Sequence, residues 1–244
     1  MPRLTDYRVL TFDCYGTLID WESGIWDALQ PLIHANRRED VTRQRGLELF
    51  ARHETAIQSA HPRALYPEIL TRTHVAIASE LGLATDATLD RAFGESVPYW
   101  PAFPDSADAL RVLKHHYKLV ILSNVNRAGF AASNRKLGVD FDAIYTAEDI
   151  GSYKPNPANF AYLLEHLRED LGLERESVLH TAQSLHHDHV QAKAAGLARA
   201  WIDRQGLSAG GDWGATAVVA ERPEVDFLFA TLGEMAAAVR AEAG

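Results

Sequence analysis

Short apolar runs bounded by polar or turn residues mark the strands of this chain. They fall at residues 7–12 (YRVLTF), 117–122, 177–181 and 199–202, with 225–229 as a fifth. Between them the apolar positions take helical spacing. Ser106 opens a helix with Ala109, Leu110 and Leu113 on one face. Pro157 opens another, on which Phe160, Leu163, Leu164 and Leu167 repeat. A third runs from Asp188 through Ala192 and Ala195 to Gly196, a fitting C-terminal cap. Strands alternating with helices predict a parallel sheet covered on both faces, an α/β fold. Ligands of such sheets lie at the carboxyl ends of the strands. Asp13, Ser123 and Asn124 all fall at predicted strand ends.

Residues 20–97 break this rhythm. The pattern there predicts helix after helix, at 25–35, 42–59, 66–81 and 86–93, with no strand between them. The segment 98–104 (PYWPAFP) then reads as a rigid connector. The expected organisation is a core made of residues 1–19 and 98–244, with a helical cap over residues 20–97. A helical insertion directly after the first strand is expected to act as a lid over the site.

Composition narrows the function classes. A chain of 244 residues can bury a large core without covalent staples. The net charge is −9 and no long basic stripe occurs, which argues against a nucleic-acid partner. Cys14 is the single cysteine, so no intrachain disulfide can form, as suits a reducing cytoplasm. No apolar stretch approaches the ~20 residues of a membrane-spanning helix, and the N-terminus lacks a signal-peptide core. A complete cytoplasmic protein without a membrane partner is expected.

The candidate chemistry begins at Asp13-Cys14-Tyr15-Gly16-Thr17-Leu18, directly after the first strand. Gly16 permits a tight turn that holds the Asp13 carboxylate at the strand tip. A carboxylate there can attack carbon or phosphorus and form an ester or acyl-phosphate. Taken alone, an aspartate after a strand more often caps a turn. Three later segments change that balance. Leu122-Ser123-Asn124 ends the second strand. Ser152-Tyr153-Lys154-Pro155 places a lysine just before a helix, where the positive end of the helix dipole gives a plain surface lysine no advantage. Gln183 to Asp188 (QSLHHD) follows the third strand.

Together these segments resemble the four ordered motifs of the haloacid dehalogenase superfamily, from residue 7 to about residue 204. The resemblance implies a Rossmann-like parallel sheet core with a helical cap inserted after the first motif. It implies that Asp13 is the nucleophile and that Thr17 orients it. Ser123 and Asn124 would bind the anionic group of the substrate. Lys154 would keep the Asp13 carboxylate ionised, and Asp188 would hold Lys154 or the hydrolytic water.

Phosphatases of the superfamily carry a second aspartate two residues after the nucleophile, as general acid, and acidic residues in the last motif that help bind Mg²⁺. Here these positions hold Tyr15 and Gln183, and only Asp188 matches. The chain is more similar to the type II 2-haloacid dehalogenases of the superfamily. The resemblance implies attack on C2 of a small organic acid, with no cofactor, no metal and a homodimer formed through cap helices. Three positions depart from that pattern. Gln183 and Leu185 stand where those enzymes have a serine and an asparagine, and Phe160 stands for a tyrosine. Arg52 is the nearest candidate for their halide-binding arginine. Two alternatives stay open: a Mg²⁺-dependent phosphatase of a small metabolite, and a relative that binds an organic anion without turnover.

The run His186-His187-Asp188-His189 offers no further metal ligand. His187 is a candidate for contacting halide or orienting water, or for a hydrogen-bonded supporting role. Tyr15 is expected to line the pocket, with Trp21, Trp26, Tyr99 and Trp100 as further candidates. Cys14 is expected to point away as a small buried hydrophobe.

Overall fold

The computed structural model describes residues 2–211, 215 and 217–244. The chain runs β1 (Val9–Phe12), α1 (Trp21–Ala35), α2 (Arg43–Ala60), α3 (Tyr66–Leu81), α4 (Ala87–Gly94), α5 (Ser106–Lys114), β2 (Lys118–Ser123) and α6 (Arg127–Leu137). It continues through β3 (Ala143–Thr146), α7 (Ala147–Ile150), α8 (Ala158–Leu171), β4 (Val178–Ala182), α9 (Val190–Ala194), β5 (Ala198–Ile202), β6 (Phe227–Phe229) and α10 (Leu232–Ala243). A π-helical turn, Leu185–His189, leads into α9.

The six strands form one sheet in the order β3-β2-β1-β4-β5-β6, and every pairing is parallel. β1 is buried along its whole length, as a central parallel strand must be. Its alternation splits the core. Leu10 and Phe12 join the face packed by α5 and α10, while Val9 joins the face packed by α8, with Phe160, Leu163 and Leu167. Chain order reverses at β1: β2 and β3 build outward on one side, β4 to β6 on the other. The crevice at such a reversal is where α/β sheets bind ligands.

The insertion after β1 is helical throughout. Asp20 caps α1 by accepting from Ser23 N, Thr42 caps α2, and Asp86 caps α4. Phe50, Tyr66, Ile69, Leu70 and Phe93 continue the apolar core of the sheet's α5 and α10 face into these helices. Tyr153 Oη ties the sheet domain to the loop between α2 and α3, donating to Ala64 O at 2.7 Å, and Lys136 Nζ holds the connector after the insertion, donating to Pro98 O and Trp100 O at 2.6 Å each. Among the described residues, no helix is long and apolar enough to cross a membrane.

Three expectations need correction. β3 is a strand the hydrophobic pattern did not mark, because Ile144 points to solvent and the run has only four residues. The helix expected from Asp188 begins as a π-helical turn and becomes α-helical only at Val190. Tyr99 is 83% exposed, whereas its neighbour Trp100 is buried against Tyr15 with ring centroids 5.4 Å apart.

Candidate active site

Asp13 emerges from β1 into a turn whose shape depends on Gly16. That residue has φ of 96°, and a Cβ there would come within 3.0 Å of Gln183 Oε1. The turn brings Thr17 back onto the carboxylate: Thr17 Oγ1 donates to Asp13 Oδ2 at 2.9 Å and itself accepts from Gln183 N at 2.9 Å. The other oxygen, Oδ1, accepts from Lys154 Nζ at 2.9 Å. Asp13 is therefore fixed at both oxygens while its side chain stays 8% exposed, at the floor of a cavity of about 420 Å³.

Lys154 is fully buried and spends all three of its donors. Besides Asp13 it donates to Leu122 O at 2.9 Å and to Asp188 Oδ1 at 2.7 Å. Asn124 sets its backbone, accepting from Lys154 N at 2.7 Å and donating to Lys154 O at 2.9 Å. The amide of Asn124 thus holds the lysine, although the residue also lines the cavity.

The chain of contacts runs deeper. His180 Nε2 lies 2.9 Å from Asp188 Oδ1, and Thr11 Oγ1 lies 2.8 Å from His180 Nδ1. The Asp188 carboxylate can only accept, so Nε2 carries the ring hydrogen. Burial opposes the charge on Asp188, but the Lys154 ammonium and the His180 N–H outweigh it and hold this carboxyl well below the usual range. Lys154, despite its burial, is held above the ordinary ammonium value by its two carboxylates. Asp13 goes the other way. Burial, reinforced by the Asp188 charge, raises its pKa against the opposing pull of Lys154 and Thr17. Lys154 itself lowers the Asp13 pKa, but it is shared with Asp188, and burial makes the net shift at Asp13 upward.

The remaining candidates divide. Tyr15, Arg52, Gln183 and His187 line the cavity. The Tyr15 hydroxyl is hydrogen-bonded to Ser133 Oγ at 3.0 Å, and burial pushes its pKa far above the ordinary phenol value. Arg52 Nη2 donates to both oxygens of Glu80, at 2.6 and 2.7 Å. Gln183 Nε2 is hydrogen-bonded to Gln205. His187 is pushed down to about 4 by burial, so its ring is neutral at pH 7, and Nδ1 pairs with Ser184 Oγ at 3.1 Å. Ser123, unlike Asn124, is not in the lining, and its Oγ is buried with no partner among the described residues.

Leu185 packs on Trp201 and Leu207, away from the cavity, and Phe160 packs edge-on against the His180 ring at 5.0 Å. His189 Nε2 donates to Ala182 O at 2.9 Å rather than sharing a site with His186. Trp21 is in the lining; Trp26 and Trp100 are not. Cys14 is buried in the core, as expected. Among the described residues, no group of three or more His, Cys, Asp or Glu is placed to hold a metal ion.

Pattern reading missed His180, Glu54 and Tyr66. His180 sits mid-strand, where a histidine reads as core; Tyr66 Oη donates to Glu54 Oε1 at 2.7 Å, and both line the cavity.

Residues 7–181 match the family model of the haloacid dehalogenase-like hydrolases. The chain belongs to that family. It is accordingly a hydrolase. It is 29% identical over 206 residues to (S)-2-haloacid dehalogenase H-109 of Pseudomonas putida, covering 81% of this chain and 86% of that one. (S)-2-haloacid dehalogenase 4A of Burkholderia cepacia is 30% identical over 164 residues, covering 66% and 69% of the two chains. The solved L-2-haloacid dehalogenase from Xanthobacter autotrophicus, with chloropropionic acid covalently bound, superposes with a TM-score of 0.75. It is 20% identical, and 96% of this hydrolase and 98% of that chain align. At that identity the likeness shows a shared fold.

Proposed function

We propose that this hydrolase cleaves the carbon–halogen bond of small 2-haloacids, with Asp13 as nucleophile. The observation that carries the reading is the setting of Asp13. Its carboxylate is buried and held at both oxygens, at the floor of a cavity walled by Tyr15, Trp21, Phe50 and Tyr66. The relatives named above, (S)-2-haloacid dehalogenases, support the same substrate class. The first residues, 1–19, and 98–244 form the core in this reading, and residues 20–97 the cap that closes over the substrate.

In the first step an Asp13 oxygen forms a bond to C2 as the carbon–halogen bond breaks, and the electron pair leaves with the halide. Thr17 and Lys154 hold the carboxylate on line, and burial strips it of water, which makes it more reactive. Ser123 Oγ has no partner among the described residues but is buried outside the cavity lining, so it would have to be uncovered on binding to donate to the substrate carboxylate. In the second step water attacks the ester carbonyl carbon. The 2-hydroxy acid leaves, Asp13 is restored, and one proton is released. Asp188 Oδ2 lacks a partner among the described residues and belongs to a cavity-lining side chain, so it is the acceptor for that water. Displacing a halide needs no proton on the leaving group, in keeping with a Tyr15 hydroxyl committed to Ser133. Neither step calls for a metal or organic cofactor; the Lys154 ammonium stands between the two carboxylates.

Purified protein incubated with chloroacetate, (S)-2-chloropropionate and a panel of phosphate monoesters, with and without Mg²⁺, tests the reading. Halide release independent of Mg²⁺ is expected. Metal-dependent phosphate release without halide release would contradict it.

A further inference from the structure

Thr11 of β1 and His180 of β4 are direct partners in the register of the two strands, so both side chains leave on the sheet face covered by α8. That face is otherwise packed by Val9, Phe160, Leu163 and Leu167. Both residues are fully buried there, where an apolar pair would fill the space with no polar group to satisfy. His180 instead engages both ring nitrogens, Nε2 at 2.9 Å from Asp188 Oδ1 and Nδ1 at 2.8 Å from Thr11 Oγ1. Hydrogen-bond satisfaction assigns the hydrogens. The Asp188 carboxylate only accepts, so Nε2 donates. The Thr11 hydroxyl then donates to the Nδ1 lone pair; beside a ring protonated at both nitrogens its hydrogen would have no acceptor among the described residues. The ring is neutral, and Thr11 fixes its tautomer.

Asp188 Oδ1 thus receives two donors, Lys154 Nζ at 2.7 Å and His180 Nε2 at 2.9 Å. They arrive from different elements, the segment before α8 and the middle of β4, and together they fix the rotation of the carboxylate. With both donors on one oxygen, Oδ2 has no partner among the described residues, on a side chain that lines the same cavity as Asp13. Lys154 alone would not hold this arrangement. Its ammonium is also bound to Asp13 Oδ1 and Leu122 O, and a carboxylate with a single donor can rotate and exchange its oxygens.

We propose that His180, locked by Thr11, is a positioning residue for the second chemical step: it holds Oδ1 of Asp188 so that Oδ2 meets the hydrolytic water. This rests on the dehalogenase reading with its Asp13 ester, and adds to it two residues outside the cavity lining. As the water oxygen bonds to the ester carbonyl carbon, one of its hydrogens passes to Asp188 Oδ2 and from there to the departing 2-oxygen. The other stays on the Asp13 carboxyl and is the proton released. The first step needs no proton acceptor, so loss of His180 falls on the second. Phe160, edge-on to the His180 ring at 5.0 Å, carries no hydrogen-bonding group that could replace it.

The test is rapid-quench kinetics of halide release from (S)-2-bromopropionate in wild type, His180→Met, His180→Gln and Thr11→Val. Methionine has no N–H donor, whereas glutamine keeps one. His180→Met is expected to lower kcat about 10- to 100-fold and KM with it, so that kcat/KM stays close to that of wild type. Halide should appear in a burst of one equivalent per active site, and mass spectrometry of the quenched protein should find the ester on the Asp13 peptide. His180→Gln should restore most of kcat, and Thr11→Val should lower it several-fold with the same burst. Unchanged kcat in His180→Met, or a loss of kcat and kcat/KM alike with neither burst nor ester, overturns the inference. So does a His180→Gln protein as impaired as His180→Met. Nitrogen-15 NMR of the His180 ring in wild type depends on no variant and on no turnover. The hydrogen is expected on Nε2 alone at pH 7, and a ring protonated at Nδ1, or at both nitrogens, overturns the lock. Wild type that releases no halide from any haloacid, with that tautomer in place, would sink the dehalogenase reading while leaving the Thr11–His180–Asp188 arrangement standing.

Discussion

Lys154 spends its three donors on Asp13, Asp188 and Leu122 O, so its removal strands two buried carboxylates at once. Lys154→Met is expected to lose turnover and about 3–5 kcal/mol of stability, read from urea unfolding. Adding Asp188→Asn should return part of that loss by removing one unpaired charge. The upward shift of Asp13 sets the acid limb of activity. Ionised Asp13 is the reactive form, so the first step is lost as pH falls through its raised pKa, at a pH above the ordinary 3.8. Asp188→Asn removes a charge that contributes to the rise, and the limb of single-turnover halide release should move to lower pH. Asp13, Thr17, Lys154 and Asp188 were legible in the chain because each falls in one of four ordered motifs, three after a strand and the lysine before a helix. Their sharing of one ammonium was not, since spacing says nothing of which oxygen a donor meets. Glu54 was hidden for a related reason: in the polar run of α2 it reads as one more solvated helix residue, and only the fold turns it toward the cavity.

At the scale of elements, the insertion was plain from four successive helical patterns, while the short pieces of the sheet domain were not. β3 offers only the short apolar run Ala143-Ile144-Tyr145, at the edge of the sheet where Ile144 faces solvent. α6 (RAGFAASNRKL) buries small residues, Gly129, Ala132 and Ser133, that leave a weak stripe. α10 escaped for want of strong apolar repeats among its alanines, though Met235 and Val239 are fully buried. The joint between insertion and sheet rests on close approach. Trp100, on the connector, packs over Gly24 of α1 so tightly that a Cβ at Gly24 would lie 2.2 Å from the indole Cγ. Both atoms belong to packed, buried structure, so Gly24→Ala is expected to cost about 1–3 kcal/mol. Differential scanning calorimetry checks this, and an unchanged Tm would mean that α1 and the connector yield to each other.

Across the whole molecule, pH acts on stability through groups far apart in the chain. His187 and His189 are both pushed down to about 4 by burial, from an ordinary 6.5. Between these values the unfolded chain binds more protons, so stability falls as pH drops from about 6.5 toward 4. Glu54, raised to about 7, opposes this over 4.5 to 7, because there the folded state binds more protons. Two depressed histidines against one raised glutamate should prevail. Urea midpoints at pH 7, 5.5 and 4.5 are expected to decline, and His189→Gln should flatten the decline. The fold itself follows from β1 at the reversal of a parallel sheet, which puts Asp13 at the crevice whatever the substrate proves to be. Covalent catalysis by that residue is the central claim. A single turnover with excess enzyme in ¹⁸O-water tests it most directly, by mass spectrometry of the Asp13 peptide and of the product. The account predicts ¹⁸O in the Asp13 carboxylate and a 2-hydroxy acid whose new hydroxyl oxygen came from the protein. Label in the product hydroxyl, with none in Asp13, would contradict it.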